Sequence, residues 1–261
     1  MIILPEKPVI AARTMLTWQP PRGFDGRLEQ SHVGVVALLL ADALIQQVRD
    51  GITKFVLTCI QPDGGLNDGA WPASEMEAAY SGIRALQLCG TWDQYPEPQR
   101  LLEWILSKQN DDGGFGALCD WGQIYVPENR DALNRREMSV LGFHEESSAH
   151  ACYFAHGALR ALGATEKANL TKLVDYLLSV QREDGSWAFY PTNDQGSTVT
   201  TAMALTVLDR LNALDHIDRR KTVDWLLSCQ RADGTFAAYP GQEDTFLEWL
   251  YTARASKALR I

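Results

Sequence analysis

Four residues of types that bind metal ions lie close together in the middle of the chain, at His144, Glu146, His150 and His156. Imidazole and carboxylate groups are common ligands of zinc, so a metal centre is the first chemistry to consider. The spacing argues against it. No His-Glu-x-x-His sequence is present, and the six positions from His150 to His156 place the two rings on different faces of a helix. We therefore predict no metal site.

Two carboxyl groups, Glu75 and Glu77, come just before a run of small apolar residues. Ser74 and Glu77 have the three-residue separation of a capping box, in which each side chain bonds the backbone at the start of a helix. The helix dipole at this position favours an ionised carboxylate. A helix-capping role would by itself explain Glu77.

Aromatic side chains mark the starts of several predicted helices. We expect them to line a central cavity, where their π faces would attract a cation. The set comprises Trp71, Tyr80, Tyr153, Phe154, Phe246, Trp249 and Tyr251. Asp194 and Asp244 open two further helices, either as caps or as spare acids. If the substrate carries a diphosphate, the cations available to bind it are Arg130, Arg135 and Arg136, although the flanking Asp131 and Glu137 favour surface ion pairs for them.

Internal repetition predicts the elements that position these residues. An apolar stripe ending in Gln, an Asp-Gly turn and a large apolar residue recur at 55–66, 102–115, 174–187 and 223–236, with a worn copy at 17–24. The marker glutamines are Gln19, Gln61, Gln109, Gln181 and Gln230, separated by 42, 48, 72 and 49 residues. A period of that size holds one helical hairpin. The Gly supplies the left-handed conformation at which helices stop.

A second helix, small and apolar, is predicted after each turn, at 35–45, 75–88, 148–162, 198–211 and 246–259. Its Ala, Gly and Ser content indicates an inner helix that is crowded on all sides, whereas the helices ending in Gln are amphipathic, as an outer ring should be. We predict an all-α fold, an α/α toroid of five to six helical hairpins, with 1–261 forming a single domain. The long interval holds about 23 surplus residues, which predict an insertion or lid at about 117–146.

Composition narrows the partners and the compartment. The chain has 261 residues and a net charge of −9, which argues against nucleic acid because a nucleic-acid surface needs clustered basic residues. No segment approaches the roughly 20 apolar residues of a membrane span, and the first residues lack a signal-peptide pattern. The five cysteines show no Cys-x-x-Cys spacing and are expected to be reduced. We expect a cytoplasmic protein.

The repeated pattern of an outer helix followed by Gln-x-x-Asp-Gly-x-Phe/Trp resembles the QW-type repeat of the prenyltransferase and squalene-hopene cyclase superfamily. The likeness extends over nearly the whole chain and is closest to a free-standing class II terpene cyclase β domain. It implies an α/α barrel in which the motif residues staple one hairpin to the next and are not catalytic.

The resemblance also implies roles for the acids. Class II cyclases start a cation cascade by protonating an alkene or epoxide with an Asp-x-Asp-Asp motif, which Glu75-Met76-Glu77-Ala78 resembles. The family's later Glu-Asp-Val-Thr-Ala-His segment resembles 145–150. Glu77 would be the proton donor, with Glu75 in the same motif and His150 as its hydrogen-bond partner, and no cofactor would be required. The substrate would be an isoprenoid or an isoprenoid-bearing small molecule, and the acidic charge favours a neutral one.

Other interpretations stay open, and one of them is another enzyme, a hydrolase or lyase, that uses the same central cavity. His150-Ala-Cys152-Tyr153 resembles a stretch of zinc prenyltransferases, but Glu77 and Ala79 stand where that branch has its Asp and Cys ligands. The chain would then be a degenerate prenyltransferase β-subunit-like protein without the zinc site. Alternatively, it is a non-catalytic toroid that binds a lipid or peptide. Full-size relatives build the pocket between two domains, so the 117–146 insertion, a homodimer partner or a second chain would close it here.

Overall fold

The computed structural model of the protein describes residues 28–40, 42, 44–69, 73–119, 143–242 and 248–261. The helices in these ranges are α1 (Leu28–Leu40), α2 (Gln46–Thr58), α3 (Met76–Cys89), α4 (Pro98–Ser107), α5 (Ala149–Ala161), α6 (Leu170–Ser179), α7 (Thr198–Arg210), α8 (Arg219–Ser228) and α9 (Glu248–Ala258). Short 3-10 turns are present at Trp92–Gln94, Thr165–Lys167 and Leu214–His216. Two short strands, β1 (Leu118–Cys119) and β2 (Phe143–His144), form an antiparallel pair.

Two kinds of helix alternate among the described residues, as the repeat predicts. The small-residue helices α3 and α7 each bury ten residues, whereas α6 and α8 each bury three along one amphipathic stripe. The predicted inner helices agree with α3, α5, α7 and α9 to within two residues. The first prediction, 35–45, is wrong: α1 ends at Leu40, Asp42 has a left-handed φ of 50°, and Ile45 is already the N-cap of α2. The uninterrupted apolar run Ala37–Leu40 and Ala43–Ile45 concealed this break.

The described residues fall into two compact units. One contains the described parts of Met1–Ser107 together with Gly157–Gly163, and the other contains those of Lys108–His156 and Ala164–Ile261. In the first unit α1, α2 and α4 pack against α3. In the second unit α6 and α9 pack against α7. The arrangement of the whole chain as one domain stays a prediction.

In the four repeats that the structure describes, the turn closes as a tight loop in which the Gly has a positive φ, whereas the worn copy at 17–24 lies outside the described residues. The bridging pairs are Ile60↔Leu66, Gln109↔Phe115, Gln181↔Trp187 and Gln230↔Phe236. The glycines Gly64, Gly113, Gly185 and Gly234 have φ between 87° and 97°, which confirms the left-handed turn. Ile60, and not Gln61, occupies the marker position in the first copy. Within the described ranges the Gln61 amide therefore donates to the nearby Cys59 O alone, whereas Gln109 bonds both backbone groups of Asn169, the N-cap of α6.

The Asp of each turn accepts the backbone N–H two residues later and also a hydroxyl. In the second copy Asp112 accepts from Gly114 N at 2.9 Å and from the Ser147 hydroxyl at 2.6 Å. Ser147 lies at the start of α5, so this carboxylate joins the turn to the next inner helix. In the third copy the hydroxyl comes from Ser186 within the turn itself, at 2.6 Å from Asp184.

The predicted insertion begins and ends at one place in the second unit. Leu118 pairs with His144 and Cys119 with Phe143, so the two ends of the segment lie side by side. Lys108 on the adjoining turn forms an ion pair with Glu145 at 3.2 Å. The three arginines at 130, 135 and 136 lie outside the described residues.

Helix lengths in the described part of the chain are short. The longest, α3, has 14 residues, whereas a membrane-spanning helix needs about 20. No helix among these residues is both long and apolar enough to cross a bilayer.

Candidate active site

One backbone hydrogen bond recurs at the start of three inner helices, α3, α5 and α7. The backbone N–H of the residue at the helix entrance donates to the carbonyl of the large apolar residue that closes the preceding turn. The three bonds of this kind are Glu75 to Leu66, Ser148 to Phe115 and Ser197 to Trp187, at 2.9 to 3.1 Å. Two residues after these entrances come Glu77, His150 and Val199. Glu77 and His150 therefore occupy the same position in successive inner helices.

Glu75 and Glu77 are both taken out of water, with 2% and 8% of their surfaces exposed. The capping-box interpretation of Glu77 is wrong. The N-cap of α3 is Glu75, its side chain makes no cap hydrogen bond, and the Ser74 hydroxyl donates instead to Asp63 at 2.6 Å. The Ser74 hydroxyl serves as the hydroxyl partner of the turn aspartate Asp63 and not as a helix cap. The capping-box spacing in the sequence does not reveal this competing partner.

His150 lies in an aromatic setting on α5. Its ring packs against Phe154 at 4.9 Å between centroids and against Phe189 at 5.2 Å. The Nδ1 atom is buried and has no hydrogen-bond partner among the described residues. Burial, with the Arg254 guanidinium adding to it, lowers the pKa of His150 to about 3. The imidazole is therefore neutral at physiological pH, and its buried nitrogen has hydrogen-bonding capacity that the described side chains do not use.

Tyr153, one turn further along α5, contacts two cations, Arg254 and Lys257. Its hydroxyl accepts a hydrogen bond from Arg254 Nη1 at 3.2 Å, and its ring lies 5.2 Å from the guanidinium carbon and 5.8 Å from Lys257 Nζ. Burial raises the pKa of the Tyr153 hydroxyl, but the charges of Arg254, Lys257 and Arg210 favour the phenolate more strongly. The net effect holds the pKa below its usual value.

The remaining predicted aromatic residues are placed as follows. Tyr80 on α3 packs edge-on against His32 at 5.6 Å and lies beside Gly157, where an added Cβ would meet its ring at 2.8 Å. Phe154 packs against Tyr153 at 5.2 Å. Trp249 and Tyr251 belong to α9, but the structure describes only their backbone. Trp71 and Phe246 lie outside the described residues.

The structure corrects the prediction that Asp194 opens an inner helix. Asp194 is exposed in the loop before α7, and the N-cap of that helix is Ser197, which forms a capping box with Thr200. A helix begins where side chains bond its first free backbone N–H groups. Ser197, three residues after Asp194, accepts from the Thr200 N–H, and the Thr200 hydroxyl accepts from the Ser197 N–H. Asp244 lies outside the described residues.

Phe189 was not among the predicted site residues, although the sequence carries a signal for it. The segment Trp187-Ala-Phe-Tyr-Pro191 follows the third turn, and Phe236-Ala-Ala-Tyr-Pro240 follows the fourth. The carbonyls of Phe189 and Ala238 accept from the first residues of α5 and α7, so these two positions are equivalent. Aligning the two loops would have shown that a ring replaces a methyl group beside the entrance of α5.

The described residues add no metal centre here, and the groove found on the first unit is lined by other residues. The described residues contain no group of three or more His, Cys, Asp or Glu side chains that could hold a metal ion. A shallow groove on the first unit, of about 470 Å³, is lined by Asp50, Thr53, Lys54, Leu57, Thr58 and Gln94. It contains none of the predicted site residues.

Comparison with known proteins identifies the family. The sequence model of the squalene-hopene cyclase C-terminal domain matches residues 33–189, which is more than half of the 261 residues. The chain belongs to the squalene-hopene cyclase family. The model of the prenyltransferase alpha-alpha toroid domain matches residues 130–259. The predicted all-α toroid fold and the predicted superfamily are thereby confirmed.

Curated relatives match this cyclase-family chain over part of their length. It is 28% identical to lanosterol synthase of Aspergillus fumigatus over 144 residues, or 55% of the chain and 17% of the synthase. It is 27% identical to squalene–hopene cyclase of Bradyrhizobium diazoefficiens over 143 residues, covering 54% of the chain and 19% of that enzyme. The chain thus aligns with less than a fifth of each relative.

Solved structures share the fold at low sequence identity. Protein geranylgeranyltransferase-I of Candida albicans, complexed with GGPP, has a TM-score of 0.68 and 15% identity, covering 97% of this chain and 77% of that one. A type II terpene cyclase variant from Scytonema, in complex with geranylgeranyl dihydroxybenzoate, has a TM-score of 0.59 and 17% identity, covering 97% and 71%. These structures support the terpene cyclase-like toroid of this chain.

Proposed function

We propose that the protein is a class II terpene cyclase-like enzyme that cyclises an isoprenoid or an isoprenoid-bearing small molecule by protonating it. The observation that carries the proposal is the environment of Glu77, a nearly buried carboxyl whose expected capping partner, Ser74, is bonded to Asp63 instead. Removing a carboxyl group from water costs less free energy when the group is neutral than when it is ionised, and the neutral form is the one that donates a proton.

The proposed reaction moves one proton in and one out. Glu77 adds its proton to an alkene carbon or an epoxide oxygen, and the resulting cation is attacked by a neighbouring double bond, which closes a ring. A C–H bond next to the final cation then releases a proton to a base or water. With a polyprene the product is therefore an isomer of the substrate.

Three features of the described residues support this chemistry. Glu75 adds a second buried carboxyl beside the same helix entrance. His150 is neutral and has an unsatisfied buried nitrogen, as a hydrogen-bond partner of an acid would need. Phe154 and Phe189 next to His150 provide π faces that would stabilise a carbocation.

The similar proteins suggest two substrates for a first test. The purified full chain would be incubated in D₂O with squalene or geranylgeranyl dihydroxybenzoate, and products would be analysed by mass spectrometry. Acid-initiated cyclisation predicts a product one mass unit heavier than the substrate, because one deuteron is added from the acid and one proton is lost. A product without this deuterium would contradict protonation as the first step.

Two substitutions test the assignment of the residues. Glu77→Gln keeps the shape of the side chain and removes its acidic proton, so turnover should fall by about 100-fold or more. His150→Ala should lower turnover if His150 assists the acid. Glu103→Gln, an exposed residue on α4, is the matched control and should retain full activity. Unchanged turnover in Glu77→Gln, with the fold intact by circular dichroism, would refute Glu77 as the acid.

The same assays separate the other candidates. A chain that binds the polyprene without converting it is a binding toroid. Stoichiometric zinc in the purified protein would favour the prenyltransferase branch. Activity that appears only in a dimer, or only with a second chain added, would show that a partner completes the pocket.

A further inference from the structure

A cluster of positive charge in the second unit differs from the acidic character of the whole chain. Arg254 and Lys257, one turn apart on α9, both lie over the Tyr153 ring, and Arg254 also donates to its hydroxyl. The positive charge of Arg210, the last residue of α7, also acts on the Tyr153 hydroxyl and favours its ionised form. We call Tyr153, Arg254 and Lys257 the cation cluster. It lies in a protein whose net charge is −9.

Neither cation of the cluster has a carboxylate partner among the described residues. The ion pairs in this part of the chain join Arg100 to Glu97, Lys108 to Glu145, Arg219 to Asp215 and Arg220 to Asp224. The guanidinium of Arg254 uses one N–H on Tyr153, and no other hydrogen bond from it to a described residue is present. Two like charges beside a nearly buried ring repel each other, and an anion placed between them would offset that repulsion.

We propose that the cation cluster binds the anionic head group of the substrate, so that the protein acts on an isoprenoid carrying a carboxylate or a diphosphate. This inference rests on the proposed function for the tail of the molecule. It reverses the expectation of a neutral substrate that the overall charge suggested, because binding depends on the local charge and not on the total.

The neighbouring side chains fit such a molecule. Phe154 packs edge-on against Tyr153, and the ring of His150 packs against Phe154 and Phe189. A charged group and an apolar wall thus adjoin on one face of α5. Arg254 would contact the head group as a planar donor with several free N–H groups, Lys257 would add a point charge, and the Tyr153 hydroxyl would be held in place by Arg254.

Binding to the full chain by isothermal titration calorimetry tests the head-group preference. The ligands share a geranylgeranyl-type tail and differ only in the head: geranylgeranoic acid, geranylgeranyl diphosphate and geranylgeraniol. We expect at least one anionic ligand to bind about tenfold or more tightly than the alcohol, since hydrogen bonds to charged groups contribute that much. The tighter of the two acids identifies the head group. Affinity for that ligand should fall with added salt because the cations are partly exposed.

Substitutions locate the site. Arg254→Met and Lys257→Met should each weaken the anionic ligand by about tenfold and leave geranylgeraniol unchanged. Arg260→Met removes an exposed cation three residues after Lys257 and is the matched control, expected to bind as the unmodified chain does. Arg254→Lys retains charge without the planar donor set and should give an intermediate affinity, which serves if Arg254→Met does not fold.

Equal affinity for the alcohol and both acids in the unmodified chain, or an equal loss in Arg254→Met, Lys257→Met and Arg260→Met, would overturn the inference. The readout is binding and needs no turnover. Failure of the cyclase proposal would appear as absent deuterium incorporation with the head-group preference intact, whereas failure of this inference would appear as cyclisation without any head-group preference.

Discussion

Exchanging one Gly and one Ser between two positions tests how the turns hold the inner helices. In the second turn an added Cβ at Gly114 would meet Ser147 Cβ at 2.5 Å and Ser147 Oγ at 2.7 Å. In the third turn the two residue types are reversed: Ser186 is in the turn, and a Cβ on Gly196 would overlap the Ser186 hydroxyl. We predict that Gly114→Ser and Ser147→Gly each destabilise the protein and that the double variant recovers much of the loss.

The size of each effect follows from the contacts. Gly114→Ser forces overlap with Ser147 and also with Tyr176 Cδ1 at 2.8 Å, which should cost about 2–3 kcal/mol of unfolding free energy. Ser147→Gly removes the bonds of its hydroxyl to Asp112 and Asn110, at 2.6 and 3.0 Å, and should cost about 1–2 kcal/mol.

In the double variant the new Ser at 114 can bond Asp112, as Ser186 bonds Asp184. The two effects should therefore be non-additive by about 2 kcal/mol. Recovery stays incomplete because Tyr176 is still close.

Urea unfolding followed by circular dichroism measures all three variants. Gly51→Ser is the control, because an added Cβ there meets nothing within 4 Å, and it should cost little. Strict additivity of the two single changes would refute the view that Gly114 and Ser147 fill one shared space. Equal loss in Gly51→Ser would show that the cost comes from the residue type and not from the contact.

Two further predictions concern His150 and Gln109. The unfolded chain protonates His150 near pH 6.5, whereas burial lowers the pKa of the folded imidazole to about 3. The stability that the neutral ring contributes is fully present above pH 6.5 and is lost as the pH falls. Lowering the pH from 7 to 5 should therefore reduce the unfolding free energy of the native chain by about 2 kcal/mol more than that of His150→Gln, measured by urea unfolding. An equal pH dependence in the two proteins would contradict the lowered pKa of His150. Gln109→Ala breaks the two hydrogen bonds to Asn169 and should lower the unfolding free energy by about 1 kcal/mol. Gln61→Ala should cost less, because among the described residues the Gln61 side chain bonds the nearby Cys59 alone. A larger loss of thermal stability in Gln61→Ala than in Gln109→Ala would contradict the role of Gln109 in joining the turn to α6.

The repeat made much of the architecture predictable. Helix periodicity, the Asp-Gly turns and the small-residue helices depend on local chemistry, so four of the five inner helices were predicted to within two residues. The bounds of α1 were predicted wrongly because the sequence has no cap or glycine signal where this helix ends. The shift of Gln61 away from the marker position was also hidden, because the first copy is one residue shorter between Gln and the large apolar residue.

The candidate site was predictable only in part. The sequence selected Glu77 and His150, and the helix entrances give them equivalent positions. It did not foresee that Ser74 would bond Asp63, that Phe189 would pack on His150, or that Arg254 and Lys257 would lie over Tyr153. These pairs are separated by 11, 39, 101 and 104 residues, so no spacing rule connects them.

The sequence by itself determined the family, the alternation of helices and the residues able to transfer a proton, because each depends on patterns within a single repeat. Only the tertiary structure decided which side chains meet. It placed the Ser74 hydroxyl on Asp63, removed enough water from the His150 ring to lower its pKa, and brought Arg254 and Lys257 to the Tyr153 ring in an acidic protein. The physical reason is that burial, hydrogen-bond partners and local charge arise from packing between helices distant in the chain, and these set the chemistry of a site.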